Sequence, residues 1–185
     1  MNRRSFLRSA AASAIVALPA CRRAVEASAA GPADVLLMRH AEEPDHGPDL
    51  NDRGRDRANA LVKLFPQRFP TPNLLFASRT TKASARSVQT LEPLAAALGL
   101  SIDDRYDDAR YADLALTLLG EPKYNGAHVL ICWHRETMPA LAAALGVGKP
   151  PAWPSSQYDH VWFIRSTGTK ATLADEPERL LPDDR

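Results

Sequence analysis

Two histidines in the 185-residue chain close apolar runs: His40 in LLMRHAEE (36–43) and His134 in AHVLICWH (127–134). Arg39 precedes the first, and Arg86 lies in the intervening SARSVQT. A neutral imidazole can attack phosphorus and carry the phosphoryl group as a phosphohistidine. Guanidinium groups offer forked, charge-assisted donors to phosphate oxygens. Arg86 stands at the start of a predicted helix, where free backbone N–H groups favour an anion. These four side chains would suit a phosphoryl group if the fold brings them together. The bland alternatives are a structural histidine, the reading taken for His46, His128 and His160, and surface ion pairing of Arg39 or Arg86 with Glu42, Glu43 or Glu92. The pair His40 and Glu43 has a metal-like spacing, but no further ligand cluster supports a metal.

The elements that must position these residues follow from hydrophobic pattern. DVLLMRH (34–40), NLLFAS (73–78), AHVLICWH (127–134) and YDHVWFIRS (158–166) read as strands, with TKATLAD as a hairpin partner of the last. PDLNDRGRDRANALVKLFP (48–66) reads as a loop and a helix, capped by Asn51 or Asp52, with Ala58, Leu61, Val62 and Phe65 on the apolar face and Pro66 as its end. SVQTLEPLAAALGL is a helix with Val88, Leu91, Leu94, Ala95 and Leu98 inward and Gly99 as its stop. Pro93 is expected to kink or split it, because proline cannot donate to the carbonyl of Gln89. SIDDRYDDA (101–109) is an acidic connection, RYADLALTLLG a helix ending at Gly120, and ETMPALAAALGV a helix with Pro139 in its first turn. Alternating strands and helices predict an α/β fold: a three-layer αβα sandwich with a mostly parallel sheet covered on both faces. In such a sheet, strand C-termini share one edge, so His40 and His134 are expected at one crevice.

Hydrophobic residues are 45% and charged residues 24%, ordinary for one soluble domain, and a formal net charge of +1 gives no bias toward nucleic acid. The charge is unevenly spread: residues 1–30 hold five arginines and one acid, so the rest is slightly acidic. NRRSFLRS followed by AAASAIVALPA resembles a twin-arginine export signal and is too short to span a bilayer. Residues 1–30 are therefore assigned to an export signal and linker, 31–175 to the domain and 176–185 to a weakly ordered polar tail. ASAA (27–30) suits signal cleavage, and LPAC (18–21) suits a lipoprotein site with Cys21 lipidated. The expected location is periplasmic or extracellular, with membrane contact only through the signal or that lipid. Cys132 reads as a buried free thiol.

LLMRHAE resembles the Arg-His-Gly signature of the histidine phosphatase, or phosphoglycerate mutase-like, superfamily. LNDRGRDRANAL, ARSVQTLEPLAAALGL and VLICWHRETMPALAAALG are similar to its following segments, in family order over roughly residues 34 to 165. The resemblance implies a metal-independent phosphatase without cofactor. His40 is the implied nucleophile, Arg39 and Arg86 the implied clamps on the phosphoryl oxygens, and His134 a hydrogen-bond donor to the transferring group. Departures are Ala41 in place of the signature glycine and eight positions between Ser78 and Arg86, which make Arg79 a rival clamp. Asp108 is the expected proton donor, with Asp107 and Glu136 as rivals, and Arg79 and Glu43 are assigned to substrate binding at the pocket wall. The implied partner is a small-molecule or other phosphorylated substrate. The alternative is a phosphatase-like module that holds a phosphorylated ligand without turnover. Neither the substrate nor the oligomeric state is written in these residues.

Overall fold

The computed structural model describes residues 31–166 and 170–184; the expected signal, both cleavage motifs and Cys21 lie outside the described residues. Six strands form one sheet in the order β3-β2-β4-β1-β5-β6. They are β1 (Asp34–Arg39), β2 (Leu74–Ala77), β3 (Ile102–Asp103), β4 (His128–Trp133), β5 (His160–Ser166) and β6 (Ala171–Pro177). β1, β4, β2 and β3 are mutually parallel, and β5 runs antiparallel to both β1 and β6. The sheet is thus mostly parallel and mixed, as expected, with one strand not anticipated. β3 is only Ile102–Asp103, both half-buried, so it gives no apolar run in the sequence.

β2 and the middle residues of β1 and β4 are apolar without interruption because both faces are covered. Val35 and Leu37 of β1 and Val129, Ile131 and Trp133 of β4 enter one core, with Leu114 and Leu118 of α3 (Tyr111–Gly120) and Leu141 of α4 (Met138–Ala144). Leu36 and Met38 of β1 and Leu130 and Cys132 of β4 enter the other, with Leu61 and Leu64 of α1 (Asp52–Leu64) and Leu91 and Leu94 of α2 (Arg86–Leu98). This is the expected three-layer arrangement. The parallel β1–β4 register pairs Asp34 with His128 and Arg39 with Trp133. The residues just beyond, His40 and His134, therefore leave the sheet side by side.

Asn51 caps α1, its side chain accepting from the Gly54 N–H at 2.8 Å. Leu64, rather than Val62, completes the buried face of α1, which ends one residue before Phe65. α2 stays continuous across Pro93 and is not split there. Ser87, Thr90, Leu91, Leu94 and Ala95 are buried on both sides of the proline and hold the two halves to one surface, so one missing hydrogen bond does not part them. Gly99 ends α2 in the left-handed conformation at φ 66°. Pro139 sits in the first turn of α4, where no intrahelical donor is lost.

The expected weakly held tail is corrected. Glu176 and Pro177 belong to β6, and Glu178 is 1% exposed. Arg57, also 1% exposed, donates to both oxygens of Asp184 at 2.8 Å, to Glu178 at 3.3 Å and to Glu42 at 2.8 Å. Buried charge persists only when paired in this way, so residues 178–184 are anchored against α1.

Candidate active site

The geometry begins with the turn after β1. The His40 N–H donates to the Trp133 carbonyl at 3.1 Å, extending the β1–β4 ladder by one step. The His40 and His134 ring centroids are then 5.2 Å apart, edge to face at 68°. His40 is 3% exposed, and its Nδ1 lies 2.8 Å from the Ala41 carbonyl oxygen. A carbonyl only accepts, so Nδ1 carries the proton and Nε2 keeps its lone pair. Burial, reinforced by Arg39 and His134 and opposed by the Ala41 carbonyl, lowers the His40 pKa to about 4. Its ring is therefore neutral near pH 7. Burial likewise lowers the pKa of His134, against the pull of Asp108 and Glu136.

The turn is locked from two sides. Gly54 of α1 approaches Glu42 so closely that a Cβ would lie 2.3 Å from the Glu42 carbonyl oxygen, and the Asn51 N–H donates to that oxygen at 3.0 Å. From α2, Thr90 Oγ1 accepts the Ala41 N–H at 2.9 Å and donates to the Arg86 carbonyl at 2.7 Å. The four-residue step from Arg86 to Thr90 is one helical turn, so one hydroxyl fixes the start of α2 against the residue after His40. Gln89 adds two bonds to the 41–50 loop, accepting from the Leu50 N–H and donating to Asp49 at 2.9 and 2.7 Å.

Both predicted arginine clamps reach this place. Arg39 is 2% exposed and donates to the Ser155 carbonyl at 2.6 Å, the Tyr158 hydroxyl at 2.9 Å and Glu43 Oε1 at 2.8 Å. Its guanidinium carbon stands 3.8 Å from the Tyr158 ring centroid, a stacked cation–π contact. Arg86 contacts Glu43 Oε2 at 2.6 Å and donates to the Gly47 carbonyl at 2.5 Å. One carboxylate thus spans both guanidiniums. Burial disfavours ionised Glu43, but His40, Arg86 and Arg39 outweigh it and hold the carboxyl below its usual pKa.

Asp108 also arrives, through a 3₁₀ turn at Asp108–Arg110. It accepts from Thr137 Oγ1, which also donates to the His134 carbonyl at 3.3 Å. Arg79 does not join this cluster: it is exposed, and its guanidinium donates to the Arg105 carbonyl. Glu136 is exposed and paired with Arg135 at 2.7 Å. His128 and His160 hydrogen-bond Asp34 and Asp175 at 2.8 and 2.9 Å, and His46 is exposed in its loop, consistent with their structural reading. Among the described residues no group of histidine, cysteine, aspartate or glutamate could hold a metal. Tyr158 was not singled out by the sequence. It is one aromatic at the entrance to an alternating strand, and nothing local distinguishes it from a core residue.

No protein-family model matches the chain, and no curated protein matches it significantly. Solved structures do. A mycobacterial glucosyl-3-phosphoglycerate phosphatase, solved with inorganic phosphate, is 17% identical over 76% of this chain and 95% of its own, with a TM-score of 0.56. The protein histidine phosphatase SixA, solved with tungstate, is 20% identical over 78% of this chain and 97% of its own, with a TM-score of 0.57. A phosphoserine phosphatase from Entamoeba histolytica, in complex with 3-phosphoglyceric acid, is 11% identical over 80% of this chain and 99% of its own, with a TM-score of 0.57. The shared property is the α/β fold, phosphoglycerate mutase-like, with its mostly parallel six-stranded sheet.

Proposed function

We propose that the chain is a metal-independent phosphatase of the histidine phosphatase superfamily, acting on a phosphomonoester. The observation that carries the reading is the shared carboxylate. Arg39 and Arg86 lie close enough to grip one anion, 2.8 and 2.6 Å from the two oxygens of Glu43, next to a neutral histidine with a free Nε2 lone pair. In this reading His40 Nε2 bonds to phosphorus as the bond from phosphorus to the leaving oxygen breaks. Asp108 gives that oxygen its proton, and Arg39, Arg86 and a His134 N–H hold the oxygens of the transferring group. Water then attacks phosphorus, the phosphorus–nitrogen bond breaks, and the water's proton passes to Asp108, which restores the site. The guanidiniums supply the positive charge, so the scheme needs no metal. The phosphate, tungstate and 3-phosphoglyceric acid held by the similar structures support a tetrahedral oxyanion pocket. The export-like sequence at 1–30 supports placing the enzyme outside the cytoplasm.

The test is hydrolysis of an aryl phosphate by the full chain with a chelator present, wild type beside His40→Ala. The expected result is a wild-type rate that falls at least about a thousandfold in a folded mutant, as loss of a nucleophile demands. A mutant as active as wild type, or a folded wild type inert toward phosphomonoesters, overturns the reading.

A further inference from the structure

Glu43 carries a charge that the proposed reaction does not use. Its oxygens take Nη donors from both guanidiniums, and the Tyr158 hydroxyl donates to Oε1 at 3.3 Å. A tetrahedral anion gripped by Arg39 and Arg86 would seek donors on the same two groups. Each arginine still has a buried Nε without a hydrogen-bond partner, an unused N–H within the same cluster. The carboxylate therefore occupies part of the clamp and leaves part free.

Charge counting gives this arrangement a consequence. Arg39 and Arg86 contribute two positive charges and Glu43 one negative, while His40 and His134 are neutral. Nearby, Arg135 and Glu136 pair with each other at 2.7 Å. Asp108, beyond Thr137, can only lower that sum. The two arginines and Glu43 thus offer at most a net +1, where two bare arginines would offer +2. A fixed negative charge beside a bound anion repels a dianion twice as strongly as a monoanion.

We propose that Glu43 is a specificity-determining residue that tunes the pocket to tetrahedral groups bearing one negative charge, such as a phosphomonoester bound in its singly protonated form, and against dianions. This rests on reading the arginine pair as the anion site. It does not depend on turnover by His40.

The test uses two permanently charged tetrahedral probes, sulfate as dianion and methanesulfonate as monoanion, titrated calorimetrically into the full chain as wild type, Glu43→Gln and Glu43→Ala. Loss of the carboxylate is expected to raise sulfate affinity about tenfold and methanesulfonate affinity only about threefold, the square root of the first, as one removed charge acting on two charges or on one requires. Equal gains for both probes overturn the proposal, because Glu43 would then only block the site. Unchanged or weaker binding of both overturns it as well, because Glu43 would then be a strut that holds the arginines. So does the absence of sulfate binding in every variant. No hydrolysis is read, so failure of the phosphohistidine chemistry and failure of this inference are separable.

Discussion

Thr90→Val puts a number on the lock between α2 and the histidine turn. Thr90 is 0% exposed, and its Oγ1 is the acceptor for the Ala41 N–H at 2.9 Å. Valine keeps the shape and one methyl but offers no acceptor. The Ala41 N–H is then left buried and unpaired, at a cost of about 1–3 kcal/mol. For a domain of this size that corresponds to a fall in Tm of roughly 2–12 °C. The Arg86 carbonyl loses a donor as well but keeps a second lone pair and its place in α2, so its share is the smaller. The same turn aims His40, because the Ala41 carbonyl holds Nδ1 at 2.8 Å. The aryl phosphatase rate should therefore fall more than phosphate affinity. Thr90→Ser keeps the hydroxyl and should retain the rate while losing about 1 kcal/mol with its buried methyl. Urea denaturation and steady-state kinetics on the three proteins measure both effects. A Thr90→Val protein as stable and active as wild type would refute the assignment of this hydroxyl.

Two further outcomes are expected. Gly54→Ala places a Cβ 2.3 Å from the Glu42 carbonyl oxygen, a backbone atom that cannot swing aside, so thermal denaturation should show a loss of about 1–3 kcal/mol or more. Glu178 is driven up to about 8 by burial, aided by Asp184 and opposed by Arg57. The folded state therefore keeps a proton that the unfolded chain has released, and stability falls as pH rises from about 4.5 to 8. His40, lowered to about 4, acts in the opposite sense between about 4 and 6.5, where unfolding takes up a proton. The Glu178 slope is thus exposed between pH 6.5 and 8. Wild type should lose on the order of 2 kcal/mol across that window. Glu178→Gln should lose little, as denaturation midpoints at the two pH values will show.

What the sequence made legible was the part built on long-range regularity. LLM of β1 and VLICW of β4 are apolar at every position because those strands are buried on both faces, and a strand of that kind that stops at a histidine is conspicuous. Arg86 was legible through its place at the start of a predicted helix, in the segment ARSVQTLEPLAAALGL. β3 was not, because two half-buried residues make no pattern. Arg57 falls on the same face of α1 as Leu61 and Leu64, but nothing local names its partners. It is buried because Glu178 and Asp184 return to it from 121 and 127 positions away, a distance no local window spans. Tyr158 was missed for the same reason: its meaning lies in Arg39 and Glu43, 119 and 115 positions off. Pro93 shows the converse, where burial along the rest of α2 outweighed a reliable local rule.

The parallel pairing of Arg39 with Trp133 has an implication for how such a protein can change over generations. The approach of the two histidines is set by backbone registration between neighbouring strands, not by the loops that surround them. A single inserted or deleted residue within β1 or β4 would exchange the two cores side chain for side chain and part the histidines at once, so those segments can vary only by substitution. Segments 41–50, 104–110 and 154–159 lie outside that register, so their lengths can change without exchanging the cores, provided the contacts of Ala41, Glu43, Asp108 and Tyr158 are kept. Substitution within those loops leaves intact the strand register that holds the His40 and His134 rings 5.2 Å apart.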